Sequence, residues 1–182
     1  MDLAGWEQRY REQEETRERV PHPLLVETAS NCLPGRALDL ACGSGRNALW
    51  LAQQGWSVTA VDGSATAIQI LRDRATYLEV EVDTQIADLE KAGFVIEPAR
   101  WDLIAICYYL QRELFEPSKC GLVPGGILVA IALLSEPGKD NSFRLEPGEL
   151  RGYFDGWEIL HDREGRDQWE HKVAEIVARK PI

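Results

Sequence analysis

The chain has 182 residues, a formal net charge of -10 at pH 7 and no compensating basic tract. That length fits one compact domain and leaves little room for a second. The acidic balance excludes nucleic-acid backbones and anionic membrane surfaces as main partners, because both would repel it.

The opening stretch, residues 3–19, reads as a charged helix, with Glu7 before Arg11 and Glu15 before Arg19 at the favourable spacing of four. Trp6, Arg9 and Tyr10 recur on it at helical spacing. Pro21 and Pro23 end it, so residues 1–23 are expected to form a helical cap on a single domain spanning 1–182. These first residues lack the apolar core of a signal peptide, and no run is long enough to cross a bilayer, so a soluble, cytoplasmic protein is expected. Cys32, Cys42, Cys107 and Cys120 form neither a CxxC pair nor a metal-ligand spacing with a histidine, which predicts reduced thiols and no metal.

From residue 36 onward strand-like and helix-like segments alternate. Residues 36–41, 57–62, 83–89, 101–108 and 126–134 read as strands. Residues 47–54 read as a helix through Ala48, Leu49, Leu51 and Ala52, and residues 64–78 as a second, with Ile68, Leu71, Ala75 and Leu78 on its apolar face. Segments 157–161 and 170–179 are two further strands joined by a polar turn at 162–167. The expected fold is α/β: a doubly wound, Rossmann-like, mostly parallel sheet of about seven strands that closes with a C-terminal antiparallel hairpin. Ligands of such sheets sit at the carboxyl ends of the strands, which puts the Gly43 loop, Asp62, Asp88 and Tyr108 along one rim. Residues 135–142, with Pro137, Gly138, Asp140 and Asn141, read as a loop suited to a substrate.

The densest signal is Leu38-Asp39-Leu40-Ala41-Cys42-Gly43-Ser44-Gly45-Arg46-Asn47 followed by Val58-Thr59-Ala60-Val61-Asp62. Gly43 and Gly45 let the backbone turn sharply and lie against a ligand at a helix start. Asp62 follows Gly45 by 17 residues, near the interval of about 20 at which an acid commonly meets ribose hydroxyls. An adenosine-bearing cofactor is therefore expected. Asp39 is flanked by apolar residues, and a buried carboxylate needs partners, so it is expected to accept hydrogen bonds from loop amides.

An acid ahead of the glycine loop is the order of class I S-adenosylmethionine-dependent methyltransferases, which this sequence resembles over nearly its whole length. The resemblance includes Asp88 after the third strand, Trp101-Asp102-Leu103-Ile104 and Leu122-Val123-Pro124-Gly125-Gly126. Gly45-Arg46-Asn47-Ala48-Leu49-Trp50-Leu51, Pro147-Gly148-Glu149-Leu150 and Tyr153-Phe154-Asp155-Gly156-Trp157-Glu158 resemble the tellurite-resistance (TehB-like) subgroup more closely. The resemblance implies S-adenosylmethionine as cofactor and S-adenosylhomocysteine as product. Gly43 and Gly45 would lie beneath the methionine part, with Arg46 beside them, while Asp62 and Gly63 meet the ribose. Asp88 would take the adenine amino group and Leu89 would offer its amide to the ring. Tyr10 would cover the methionine end from the N-terminal segment, and Cys107 would stand near the transferred methyl.

Tyr108 and Arg112 follow the fourth strand as substrate candidates; strand alternation sends Tyr108 and Tyr109 to opposite sides, one to the pocket and one to the core. Gln111 stands where related sequences often carry a histidine, and none of His22, His161 and His171 is a strong catalytic candidate, so no general base is assigned. That absence suits a soft acceptor, a thiol or a chalcogen oxyanion, in a protein that acts on a small molecule as a monomer or weak homodimer. Two other readings remain: a small NAD(P)-dependent oxidoreductase, since Gly43-Ser44-Gly45-Arg46-Asn47-Ala48 satisfies GxGxxA, and a non-catalytic S-adenosylmethionine-binding module.

Overall fold

The computed structural model describes residues 3–12, 20–91, 93–138 and 142–182. Its strands form a seven-stranded sheet in the order β3-β2-β1-β4-β5-β7-β6, with β1 at Arg36–Leu40, β2 at Ser57–Asp62, β3 at Asp83–Ile86, β4 at Trp101–Cys107, β5 at Leu122–Leu133, β6 at Glu158–Arg166 and β7 at Lys172–Arg179. β1, β2 and β3 pair in parallel, as do β4 and β5, whereas β7 runs antiparallel to both β5 and β6. This is the expected Rossmann-like sheet with its antiparallel end. The chain divides into two compact units, residues 1–95 and 96–182.

In the first unit, α1 (Leu3–Glu12), α2 (Pro23–Ser30), α3 (Arg46–Gln53) and α4 (Ala65–Tyr77) accompany β1 to β3. Four of the five β1 residues are buried, as a parallel strand covered on both faces requires. Leu38, Leu40, Ala60 and Val61 of the strands, Ala48 and Leu51 of α3 and Ile68 and Leu71 of α4 are all fully buried. Leu78, expected on that apolar face, is the C-cap of α4 and is exposed, because the helix ends one residue short of it. Of the two N-terminal ion pairs, Arg11 donates to Glu7 at 3.1 Å, while Glu15 and Arg19 lie outside the described residues. Asp140 and Asn141 of the expected substrate loop also lie outside them.

The second unit holds β4 to β7 with α5 (Phe115–Gly121) and α6 (Glu149–Gly152). Val129 pairs with Val177 and Ile131 with Glu175 across β5 and β7. The hairpin turn is displaced from its expected place: β6 continues through Arg166, and the chain reverses at 167–171, where the Asp167 amide donates to His171 O at 2.9 Å. The polar run at 162–166 is an edge strand with charged side chains rather than a turn, which is how exposed sheet edges avoid pairing with other chains. Arg163 makes two bonds to the buried Glu175, at 2.9 and 3.0 Å, and His161 approaches the same carboxylate at 3.2 Å. Among the described residues no helix is long and apolar enough to cross a membrane.

Arg163→Ala is expected to lower unfolding free energy by about 1–3 kcal/mol, because it strips charge-assisted bonds from a buried carboxylate. Adding Glu175→Gln should recover part of that loss in a double-mutant cycle measured by urea denaturation.

Candidate functional site

β1 runs into a tight loop in which Ala41, Gly43 and Gly45 have φ of 55°, 55° and 85°. Left-handed backbone is open to glycine but costs an alanine about 1–2 kcal/mol, and such strain gathers at functional sites. Gly45 precedes the first residue of α3 and its amide donates to Cys42 O at 3.0 Å, closing the turn. A Cβ at Gly45 would run into Leu71 of α4, so this residue is required by packing as well as by its dihedral.

The half-buried carboxylate of Asp62, at the end of β2, ties the loop to the start of α4. The Gly43 amide donates to Oδ2 and the Ser64 amide to Oδ1, both at 2.8 Å. Ser64 then caps α4, its Oγ accepting from the Ala67 amide at 3.0 Å. Asp88 has the same local chemistry on a smaller scale: Oδ1 accepts from the Glu90 amide at 3.1 Å and Oδ2 pairs with Lys91 at 3.0 Å, capping the single 3-10 turn that begins at the buried Leu89.

Asp39 is 1% exposed. Its carboxyl accepts from the Ala48 amide, inside α3, while the amides of Gly43 and Gly45 donate to Asp62 and Cys42. Oδ2 of Asp39 is buried without a hydrogen-bond partner. Burial pushes this carboxyl up to about 7, against the pull of Arg46 and the Ala48 amide and with a further push from Asp62. Cys42 is driven well above its ordinary range, first by burial and then by Asp39 and Asp62, so it is a thiol and no nucleophile.

Against the turn after Asp62 lies α1. Tyr10 stacks on Trp6 at 6.1 Å between ring centroids and the Arg9 guanidinium stands 5.0 Å over the Trp6 ring. A Cβ on Gly63 would come within 2.7 Å of Leu3 Cδ1, so this helix lies directly against the residue after Asp62.

In the second unit the buried Cys107 ends β4, and Tyr108 follows with φ of 59°. That left-handed residue breaks the strand alternation on which opposite placement of the two tyrosines was expected. Both are half-buried and neither enters the core: Tyr108 donates its hydroxyl to Asp167 Oδ2 at 2.8 Å, and Tyr109 donates to Gln111 Oε1 at 3.0 Å. Asp167 also accepts from the Trp169 and His171 amides at 2.8 Å, and His171 Nδ1 lies 3.2 Å from Oδ2. Burial raises the Asp167 carboxyl, but the Tyr108 hydroxyl and these amides together hold it below the usual range. Trp169 and His171 each meet the Tyr108 ring edge-on. From sequence alone Asp167 belongs to a polar turn and His171 has no catalytic role; the displaced turn is what brings the two together. Arg112, a substrate candidate, is taken up by both carboxylate oxygens of Glu149, which hold the guanidinium above its ordinary value.

The family model described as "Tellurite resistance protein TehB" matches residues 7–176. The chain belongs to the TehB family. Among TehB-like relatives, it is 27% identical over 165 residues to the "Probable S-adenosyl-L-methionine-dependent methyltransferase TehB" of Haemophilus influenzae, covering 85% of this chain and 56% of that protein. It is also 27% identical over 182 residues to "Hemagglutinin 1" of Eikenella corrodens, covering 88% of this chain and 59% of the relative. The crystal structure of TehB from Haemophilus influenzae superposes with a TM-score of 0.77 at 27% identity, covering 87% of this chain and 62% of that one. The chain thus spans less than two thirds of the length of these relatives.

Two measurements probe the loop. Gly45→Ala should cost about 1–3 kcal/mol of stability through overpacking against Leu71 and the positive φ. Asp39 is protonated when folded and ionised when unfolded between its ordinary 3.8 and about 7, so stability falls as pH rises across that window and stays reduced above it. Asp39→Asn is therefore expected to raise the melting temperature of the ligand-free protein at pH 8 and to leave it nearly unchanged below pH 4.

Proposed function

We propose that this chain transfers a methyl group from S-adenosylmethionine to a small acceptor, with a thiol favoured over a chalcogen oxyanion. The observation that carries the reading is Asp39, a buried carboxyl with an unpartnered oxygen beneath the glycine loop. A carboxylate there suits a cationic ammonium, directly or through water, and repels the pyrophosphate that a nicotinamide cofactor would bring to the same loop. Membership of the TehB family supports the same choice.

In this reading Gly43, Gly45 and Arg46 carry the methionine part, Asp62 and Gly63 the ribose, Asp88 and Leu89 the adenine, and Tyr10 covers the methionine end. Cys107 and Tyr108, at the carboxyl end of β4, line the methyl and acceptor side. When bound, S-adenosylmethionine supplies a sulfonium whose methyl carbon is open to in-line attack and whose departure needs no acid. The task left to the protein is alignment, which is worth roughly 7–11 kcal/mol in favourable cases.

The preference for a thiol has a specific basis. Two arginines suited to an oxyanion are engaged, Arg112 by Glu149 and Arg144 by Glu136 at 3.2 Å and by Leu134 O at 2.8 Å. The Asp167 carboxylate adds negative charge beside Tyr108. Asp167 also orients His171 through Nδ1, which leaves Nε2 as the atom to take the proton of a thiol during attack.

Calorimetry is expected to detect S-adenosylmethionine and S-adenosylhomocysteine and no binding of NAD. Labelled methyl should pass to small thiols, with His171→Asn slowing thiol methylation about 10²-fold or more while cofactor affinity is kept. Transfer to selenite or tellurite alone contradicts the thiol assignment, and cofactor binding without any transfer favours a non-catalytic binding module.

A further inference from the structure

α1 has ten residues and none of them is buried. A helix this short is marginal in water, so its order depends on specific contacts made outside itself. Glu7 makes them. The Ser64 hydroxyl donates to its Oε2 at 2.6 Å, the Thr66 hydroxyl to Oε1 at 2.5 Å and the Thr66 amide to Oε2 at 3.3 Å. These bonds, the Ser64 hydroxyl first, hold the Glu7 carboxyl down at about 2, with Arg11 adding an ion pair from within α1. Ser64 in turn donates its amide to Asp62, which accepts the Gly43 amide. One hydrogen-bonded path therefore runs from Glu7 through Ser64 and Asp62 to the glycine loop.

We propose that Glu7 is a positioning residue, a latch that holds α1 against the Asp62–Ser64 turn so that docking of this helix and binding of cofactor at the turn reinforce one another. The inference rests on the reading of that turn as part of the cofactor site. Leu3 against Gly63 marks the same seam, and Trp6, Arg9 and Tyr10 ride on the helix that the latch fixes. Closure is thus assigned to a carboxylate on α1 and to the hydroxyls of the α4 N-cap and first turn, and not to the apolar burial that usually docks a helix. A ligand that stabilises the turn would favour the docked helix, and by reciprocity a docked helix would raise affinity for the ligand. The plainer alternative is that Glu7 merely helps to cap α4, whose first turn holds both hydroxyls.

Hydrogen exchange of the full chain, followed by mass spectrometry, separates the two when paired with calorimetry using S-adenosylhomocysteine. In Glu7→Ala, amides of residues 3–12 should exchange about tenfold faster and affinity for S-adenosylhomocysteine should fall by about the same factor, with β1 and β2 still protected. Glu7→Gln, which keeps an acceptor but loses the charge, should fall between. In the wild type, S-adenosylhomocysteine should slow exchange in residues 3–12. Unchanged exchange of these residues in Glu7→Ala, with loosening confined to the start of α4, would overturn the latch; faster exchange at unaltered affinity would overturn its coupling to cofactor. A wild-type chain that takes up no S-adenosylhomocysteine contradicts the cofactor reading and the coupling together, while the exchange of residues 3–12 still decides the latch.

Discussion

The turns that follow β1 and β2 hang on the two oxygens of Asp62. One accepts the Gly43 amide from the loop after β1, the other accepts the Ser64 amide at the start of α4, and the Ala87 amide donates to the Asp62 carbonyl at 3.0 Å. A single residue at the end of β2 thereby fixes three segments that lie far apart in sequence. Hydrogen bonds to a charged acceptor are stronger than neutral ones, each contributing about 1.5–3 kcal/mol. That rigidity helps to hold Ala41 in its left-handed conformation.

The second unit repeats the device with other residues. β4, like β1, is followed by a non-glycine residue of positive φ, here Tyr108, and a buried carboxylate, Asp167, gathers the backbone and side chains around it. The two clusters differ in chemistry. The first couples a carboxylate to backbone amides near a buried acid with one unpartnered oxygen, which suits the cation and the diol of the proposed cofactor. The second couples a carboxylate to an imidazole and a phenol inside an aromatic frame, which suits the proton transfer proposed for it.

Much of this was legible in the sequence where a residue acts through its own backbone. Apolar runs bounded by Gly43 and Asp62 located β1 and β2, and the glycines announced the loop. Legibility stopped where a side chain acts on a distant segment. Glu7 reads as one half of a surface ion pair with Arg11, because nothing in residues 3–12 reveals that Ser64 and Thr66 will face it. The charged run of β6 looks like a turn, because charge alternation on an edge strand and polar turn composition are locally the same signal; only pairing with β7 separates them. Tyr108 fails the period-two rule for a related reason: its positive φ is set by the cluster around it and not by neighbours in sequence. Asp39 was recognisable as a costly buried acid, but which amide would satisfy it depends on the geometry of α3.

The proposed cofactor has an adenosine and a charged methionine end, and its place is the loop that Asp62 organises. Amide chemical-shift mapping of the labelled protein with S-adenosylhomocysteine tests it most directly. The largest shifts are expected at residues 41–46, 62–64 and 88–89, with Asp39 losing its raised protonation as the ammonium pairs with it. Shifts confined to other segments, or a spectrum that saturating ligand leaves unchanged, would contradict it.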